Sequence, residues 1–148
     1  MECVFQTESL ASCFAEMEPL LRQHWREMRE RIPLEIDQER YLAMDAAGLL
    51  QITTARAEGQ LVGYNVFVVM SHLHHRGTLH AVQDVYYLLP QYRRGWTGIH
   101  LLRAAEKALR DRGVVQAYTT CKLHHNHTPI LLRLGWQLEE LTFGKALQ

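Results

Sequence analysis

The hydrophobic period of this chain changes at Gly48, and that change limits its fold more than any other feature of the sequence. Before Gly48, apolar residues recur every three or four positions, at Leu10, Phe14, Met17, Leu20, Leu21, Trp25 and Met28. That spacing lines one face of a helix and predicts helix over residues 9–31, capped by Thr7 or Ser9 and ended by Pro33. Pro19 lacks an N–H and is expected to divide this helix in two or bend it. A shorter helix over residues 37–47 stops at Gly48, which suits the left-handed position after a helix end. Beyond Gly48 the chain turns β-branched. Residues 49–55 and 61–70 flank the turn signal Glu58-Gly59 and read as an antiparallel hairpin. Residues 71–77 read as a loop and 78–88 as a third strand, which Pro90 ends. Next come a helix over 98–112 closed by Gly113, a strand over 114–121 and a helix over 128–134. Thr128 is the expected cap of that last helix, with Pro129 at its first position. A final strand is predicted over 137–143. Helices, then antiparallel strands, then alternating helix and strand make a mixed central sheet flanked by helices, an α+β fold of the α/β-sandwich kind.

Composition narrows the class. A chain of 148 residues is read as a single domain, residues 1–148. Its apolar share of 47% against 22% charged residues is that of a packed globule and excludes disorder as the main state. Sixteen basic side chains balance sixteen acidic ones, which argues against a nucleic-acid partner. No apolar run approaches the roughly 20 residues that span a bilayer, and the acidic start lacks a signal-peptide pattern. Cys3, Cys13 and Cys121 show neither metal-type nor disulfide spacing, which suits a cytoplasmic protein. The surplus is histidine, nine in all.

The segment Tyr86-Tyr87-Leu88-Leu89-Pro90-Gln91-Tyr92-Arg93-Arg94-Gly95-Trp96-Thr97-Gly98 carries the strongest chemical signal. A strand there runs through a basic, glycine-containing turn straight into a helix. Such a turn gathers unpaired N–H groups and the positive end of the helix dipole. It favours a phosphate or pyrophosphate, with Arg93 and Arg94 adding charge. A tight turn with solvated arginines is the other reading of the same residues.

Leu88 to Arg93, Gly98 and the amphipathic helix through Leu101-Leu102 resemble the pyrophosphate-binding motif of the GNAT N-acetyltransferases. Leu131-Leu132-Arg133-Leu134-Gly135-Trp136 is similar to that family's closing helix and Gly-aromatic step. The resemblance spans nearly the whole chain and looks closest to small phage and prophage acetyltransferases. It implies the GNAT fold, acetyl-CoA as co-substrate, an amine acceptor and a possible homodimer. It departs from the family pattern at Trp96, where a central glycine is usual, with Gly95 one residue early. Tyr86, Tyr87, Leu88, Arg93, Arg94, Gly95, Trp96, Thr97, Gly98 and Asn126 are the implied cofactor-binding positions. The thioester carbonyl is expected near the Leu88 backbone, in a gap between the strand ending there and the strand over 114–121.

Asp84 stands where relatives often place a carboxylate base, and strand alternation puts it on one face with Tyr86 and Leu88. The family's usual general acid, a tyrosine, is replaced by Leu131. Tyr118, His124, His125 or water is expected in its place, and the thiolate can also leave unprotonated. His72, His74, His75 and His80 form one cluster and His124, His125 and His127 another, both expected to flank the acceptor site. Acid–base groups, metal ligands and plain loop residues are all open for them, although no Cys, Asp or Glu stands at a ligand offset and no metal site is assigned. A non-catalytic acyl-CoA-binding or interaction module of the same fold is the alternative to an enzyme, and a histidine-ligated metal hydrolase a third.

Overall fold

The computed structural model describes residues 2–148. It contains five strands and four helices in the order β1 (Cys3–Thr7), α1 (Leu10–Met28), α2 (Gln38–Ala46), β2 (Leu50–Ala57), β3 (Gln60–His72), β4 (His75–Leu88), α3 (Thr97–Asp111), β5 (Val114–Tyr118) and α4 (Thr128–Arg133). The strands form one sheet in sequence order. β1 to β4 are a run of antiparallel neighbours, and only β5 lies parallel to the strand beside it. This is the mixed, helix-flanked α+β sheet that the sequence pattern predicts.

α1 and α2 cover one face. Leu10, Cys13, Phe14, Met17 and Leu21 of α1 bury against Ile52, Tyr64, Val66, Val85 and Tyr87 of the sheet, with Tyr41, Leu42 and Met44 of α2 at the margin. α3 covers the other face with Leu101, Ala105 and Leu109, against Ala55, Val62 and Leu88 at one end and Phe67, Val69 and Ala81 at the other. Each such leucine contributes about 2–5 kcal/mol against truncation to alanine.

Several expectations need correction. β1 is a strand that the sequence reading did not predict; it is short, lies at the sheet edge and pairs with β2 from Cys3↔Ala57 to Thr7↔Thr53. α1 runs unbroken through Pro19, because Pro19 and Ala15 both face solvent and water satisfies the carbonyl left without its donor. Ser9 is its cap, accepting from the Ser12 N–H. The loop expected over 71–77 is mostly strand, since β3 and β4 extend to His72 and His75 with only Leu73 and His74 between them. β5 stops at Tyr118, three residues before the predicted end. α4 has His127, not Thr128, at its cap position.

Residues 137–143 form no strand. Their strand-like composition finds no partner to pair with, and Leu138, Leu141 and Phe143 stay 74%, 73% and 90% exposed. β-Propensity is realised through cross-strand packing, which this segment lacks.

Candidate functional site

The site begins with a parting of strands. β4 and β5 pair from Leu79↔Val114 to Val82↔Tyr118, and there β5 ends. β4 continues to Leu88 with no strand paired to that edge among the described residues, so the backbone beyond Val82 borders an open split, in which the Leu88 carbonyl is already taken by Arg93 Nε. Side chains pin its vertex: Thr119 Oγ1 donates to Gln83 Oε1 at 2.5 Å, and Gln83 Nε2 to Asn65 Oδ1 at 2.8 Å.

A bulge sits at the same place. Val66 pairs with Val85 and Phe67 with Gln83, which leaves Asp84 as the extra residue of β4. An inserted residue reverses side-chain parity. Ala81 accordingly packs on the α3 face, while Val85 and Tyr87 pack under α1. The expectation that Asp84 shares a face with Tyr86 and Leu88 is therefore wrong. Asp84 turns toward α2, where the Tyr41 hydroxyl donates to its Oδ2 at 3.0 Å. Tyr86 points the other way, and its hydroxyl donates to the Gly98 carbonyl at 3.1 Å. Burial pushes the Tyr86 phenol up to about 12.

Past the split, Pro90–Tyr92 make one 3₁₀ turn, Gly95 adopts φ +83°, and α3 starts at Thr97. The positive φ is why a glycine stands at position 95. Among the described residues, no side chain caps α3, and no backbone carbonyl accepts a well-formed bond from the N–H groups over 95–99. The donors of this first turn thus face outward together, beside the split. A side chain at Gly98 would displace the Tyr86 ring, since a Cβ there would lie 2.9 Å from its hydroxyl.

Arg93 braces this turn from behind. Its Nε donates to the Leu88 carbonyl at 2.7 Å, and its Nη2 to Glu27 of α1 at 2.7 Å. The guanidinium lies 5.1 Å from the centre of the Tyr87 ring. Tyr87 also faces α1, donating to Glu27 at 2.9 Å and stacking on His24 at 4.7 Å. Burial holds the His24 imidazole down at about 4. The Tyr87 backbone pairs with Tyr64 of β3, so Tyr87 itself turns away from the split. Arg94 and Trp96 are exposed beside the turn.

Residues 119–127 cross the mouth of the split from the end of β5. Lys122 pairs with Glu30, just past the end of α1, His124 and His125 are exposed, and Asn126 Oδ1 accepts the Thr128 N–H at 2.9 Å. His127 is half-buried, with its ring 5.7 Å from that of Tyr86. The sequence reading did not single out His127; only its place just before Thr128-Pro129 set it apart from its two neighbours. Tyr118 lies at the vertex, 6.5 Å from His80. No hydrogen bond joins Asp84, Tyr118 and His124 among the described residues.

The other histidines lie elsewhere. His72, His75 and His80 have ring centres 4.4, 4.6 and 5.7 Å apart, around the β3–β4 turn. His80, the member of this group nearest the split, lies six residues before Tyr86 on β4, about 20 Å along the strand. The two histidine clusters are not brought to one site, contrary to expectation. Among the described residues no three His, Cys, Asp or Glu side chains are grouped to hold a metal ion, and no helix is long and apolar enough to cross a membrane.

Residues 14–136 match the acetyltransferase (GNAT) family, and the chain belongs to it. Solved structures agree on the fold. A Trypanosoma brucei acetyltransferase superposes with a TM-score of 0.76 at 15% identity, over 99% of this chain and 100% of its own. Glucosamine-6-phosphate N-acetyltransferase from Arabidopsis thaliana gives 0.77 at 9% identity, over all of both chains. Ribosomal-protein-alanine N-acetyltransferase from Brucella melitensis biovar Abortus 2308 gives 0.77 at 13% identity, over 99% of this chain and 100% of its own. None of these three sources is a phage. No functionally curated protein matches the chain.

Proposed function

We propose that the chain works as one unit that moves an acetyl group from acetyl-CoA to a primary amine, in the cytosol. The observation that carries this reading is the open β4 edge leading directly to the unbonded N–H groups at the start of α3. The pyrophosphate of acetyl-CoA takes those donors, with Arg94 adding charge and Thr97 and Trp96 lining the approach. Pantetheine amides pair with the backbone of β4 at Tyr86 and with the Leu88 N–H. The thioester then lies toward the vertex, beside the bulge.

The amine enters on the α2 side, where Asp84 is exposed and held by Tyr41. An acceptor that arrives as an ammonium loses two protons in forming an amide and a thiol. Asp84 takes the first and passes it to water, which frees the lone pair for attack. The nitrogen bonds to the acyl carbon, the carbon–sulfur bond breaks, and the second proton replaces the acyl group on sulfur. Holding both reactants in the split supplies much of the rate. The relatives are named for a sugar amine and a protein alanine; both acceptors are primary amines, and that is the class proposed here.

One observation favours the non-catalytic reading: the buried Leu131 offers no proton where the family resemblance implies a tyrosine. Release of free CoA from acetyl-CoA, followed with a panel of small amines, aminoglycosides, peptide N-termini and lysine peptides, decides between the two. Turnover with any of them supports transfer; tight binding with none turned over supports the binding module. Asp84→Asn is expected to lower turnover about 100-fold and leave acetyl-CoA affinity within about twofold. An unchanged rate would remove Asp84 from the mechanism.

A further inference from the structure

Backbone pairing between β4 and β5 ends at Val82↔Tyr118, and at the next residue of each chain a side-chain bond takes over. Thr119 Oγ1 donates to Gln83 Oε1 at 2.5 Å, so this bond crosses from β4 to the chain just beyond β5. Both residues are half-buried, which leaves the bridge at the surface of the split rather than sealed in the core.

Gln83 is not free to swing aside. Its Nε2 donates to Oδ1 of Asn65 at 2.8 Å, and Asn65, on β3, is fully buried. Turning the Gln83 amide away would strip Asn65 Oδ1 of that donor, although Asn65 Nδ2 already has no partner among the described residues. Each further buried polar atom left unsatisfied adds its own desolvation cost. β3 thus fixes the amide, β4 carries it, and Thr119 closes on it.

Gln83 lies five residues before Leu88, about 16 Å along β4. Acetyl-CoA enters the split with its pyrophosphate at the α3 turn, so the acyl group leads toward the vertex. A methyl group ends beside the bulge. Each further methylene is carried on toward the Gln83 amide. Pushing that amide aside would leave it, the Thr119 hydroxyl and the Asn65 amide against methylenes, which replace none of their hydrogen bonds.

Resting on acetyl transfer as the reaction, we infer that Gln83 determines acyl specificity: with Thr119 it forms a bar across the vertex that admits acetyl and excludes longer straight chains. The bar works by volume and by polarity. It touches neither the nucleotide nor the pantetheine amides, so it discriminates between acyl groups on an otherwise identical ligand.

Calorimetric titration with acetyl-, butyryl- and hexanoyl-CoA tests the bar with no acceptor present. The parent is expected to bind butyryl-CoA at least about tenfold more weakly than acetyl-CoA, and hexanoyl-CoA more weakly still. Gln83→Ala removes the amide, and its affinities for acetyl- and butyryl-CoA are expected to lie within about twofold of each other. Thr119→Ala opens the same bar from the other side and keeps the test alive if Gln83→Ala does not fold; it should narrow the acetyl-to-butyryl ratio at least about threefold. A merely structural role would weaken all three ligands alike, so a folded variant with the parent's ratios overturns the inference. A parent that binds the three acyl-CoAs equally also overturns it. No binding of acetyl-CoA by the parent would instead remove the acetyl-transfer reading on which the inference rests.

Discussion

The two ends of β4 carry the chemistry-bearing residues of this chain, and they differ in kind. The His75 end is a two-residue turn crowded with imidazoles that touch mainly one another and Tyr118. The Leu88 end has fewer conspicuous side chains, but its backbone is left open by the parting from β5, displaced by the bulge at Asp84 and followed by an uncapped helix. It is also tied to α1 through Arg93, Glu27, Tyr87 and His24. Unusual residue content marks the first end; unpaired backbone groups held in a braced frame mark the second. Only the second leaves backbone groups unpaired along a strand edge.

If that contrast is right, changes at the two ends have unequal effects. The largest is expected from Gly98→Val, whose side chain collides with Tyr86; acetyl-CoA affinity measured by calorimetry should fall about 100-fold, or roughly 3 kcal/mol. Affinity within threefold of the parent would show that this turn is not where the cofactor sits.

Next is the brace. Buried His24 titrates at about 4 in the folded chain, below its ordinary 6.5. The unfolded chain therefore binds more protons between those values, and stability falls as pH drops through that window. The loss attributable to His24 is at most about 3 kcal/mol, and thermal melts of His24→Gln should be correspondingly flatter between pH 6.5 and 4. Parallel curves for the two proteins would mean that His24 is not held neutral.

Glu27→Gln leaves Arg93 without its ionic partner and is expected to weaken acetyl-CoA binding about tenfold, with a smaller drop in melting temperature. Binding unchanged by this substitution would separate the brace from the site. The smallest effect belongs to the other end. Replacing His72, His74 and His75 together by alanine should alter acetyl-CoA affinity less than about twofold, and a tenfold loss would erase the distinction between the ends.

Where the periodicity is local, the sequence predicts the fold well. α3 carries its apolar face at a helical spacing, and the hairpin around Glu58-Gly59 has both residues at positive φ, as its turn signal requires. Features that depend on a partner were illegible. β1 is five residues whose strand character comes from lying beside β2, and residues 137–143 read as a strand but have no neighbour. The bulge at Asp84 leaves no mark in an otherwise regular alternation, so strand parity misplaced the carboxylate. The tie that Arg93 makes to α1 was hidden for a related reason. A basic residue in a turn suggests an anion, and only the fold reveals that Glu27, 66 residues away in sequence, already occupies it. His127 is hidden among three neighbouring histidines until burial distinguishes it.

The central claim is that the β4 split and the α3 turn together bind acetyl-CoA through its pyrophosphate. Parallel calorimetric titrations with acetyl-CoA and S-acetylpantetheine, which share the thioester arm but differ in the pyrophosphate and nucleotide, test it most directly. The account predicts one acetyl-CoA per chain, bound at least about 100-fold more tightly than S-acetylpantetheine. Equal affinities, or no binding of acetyl-CoA, would contradict it.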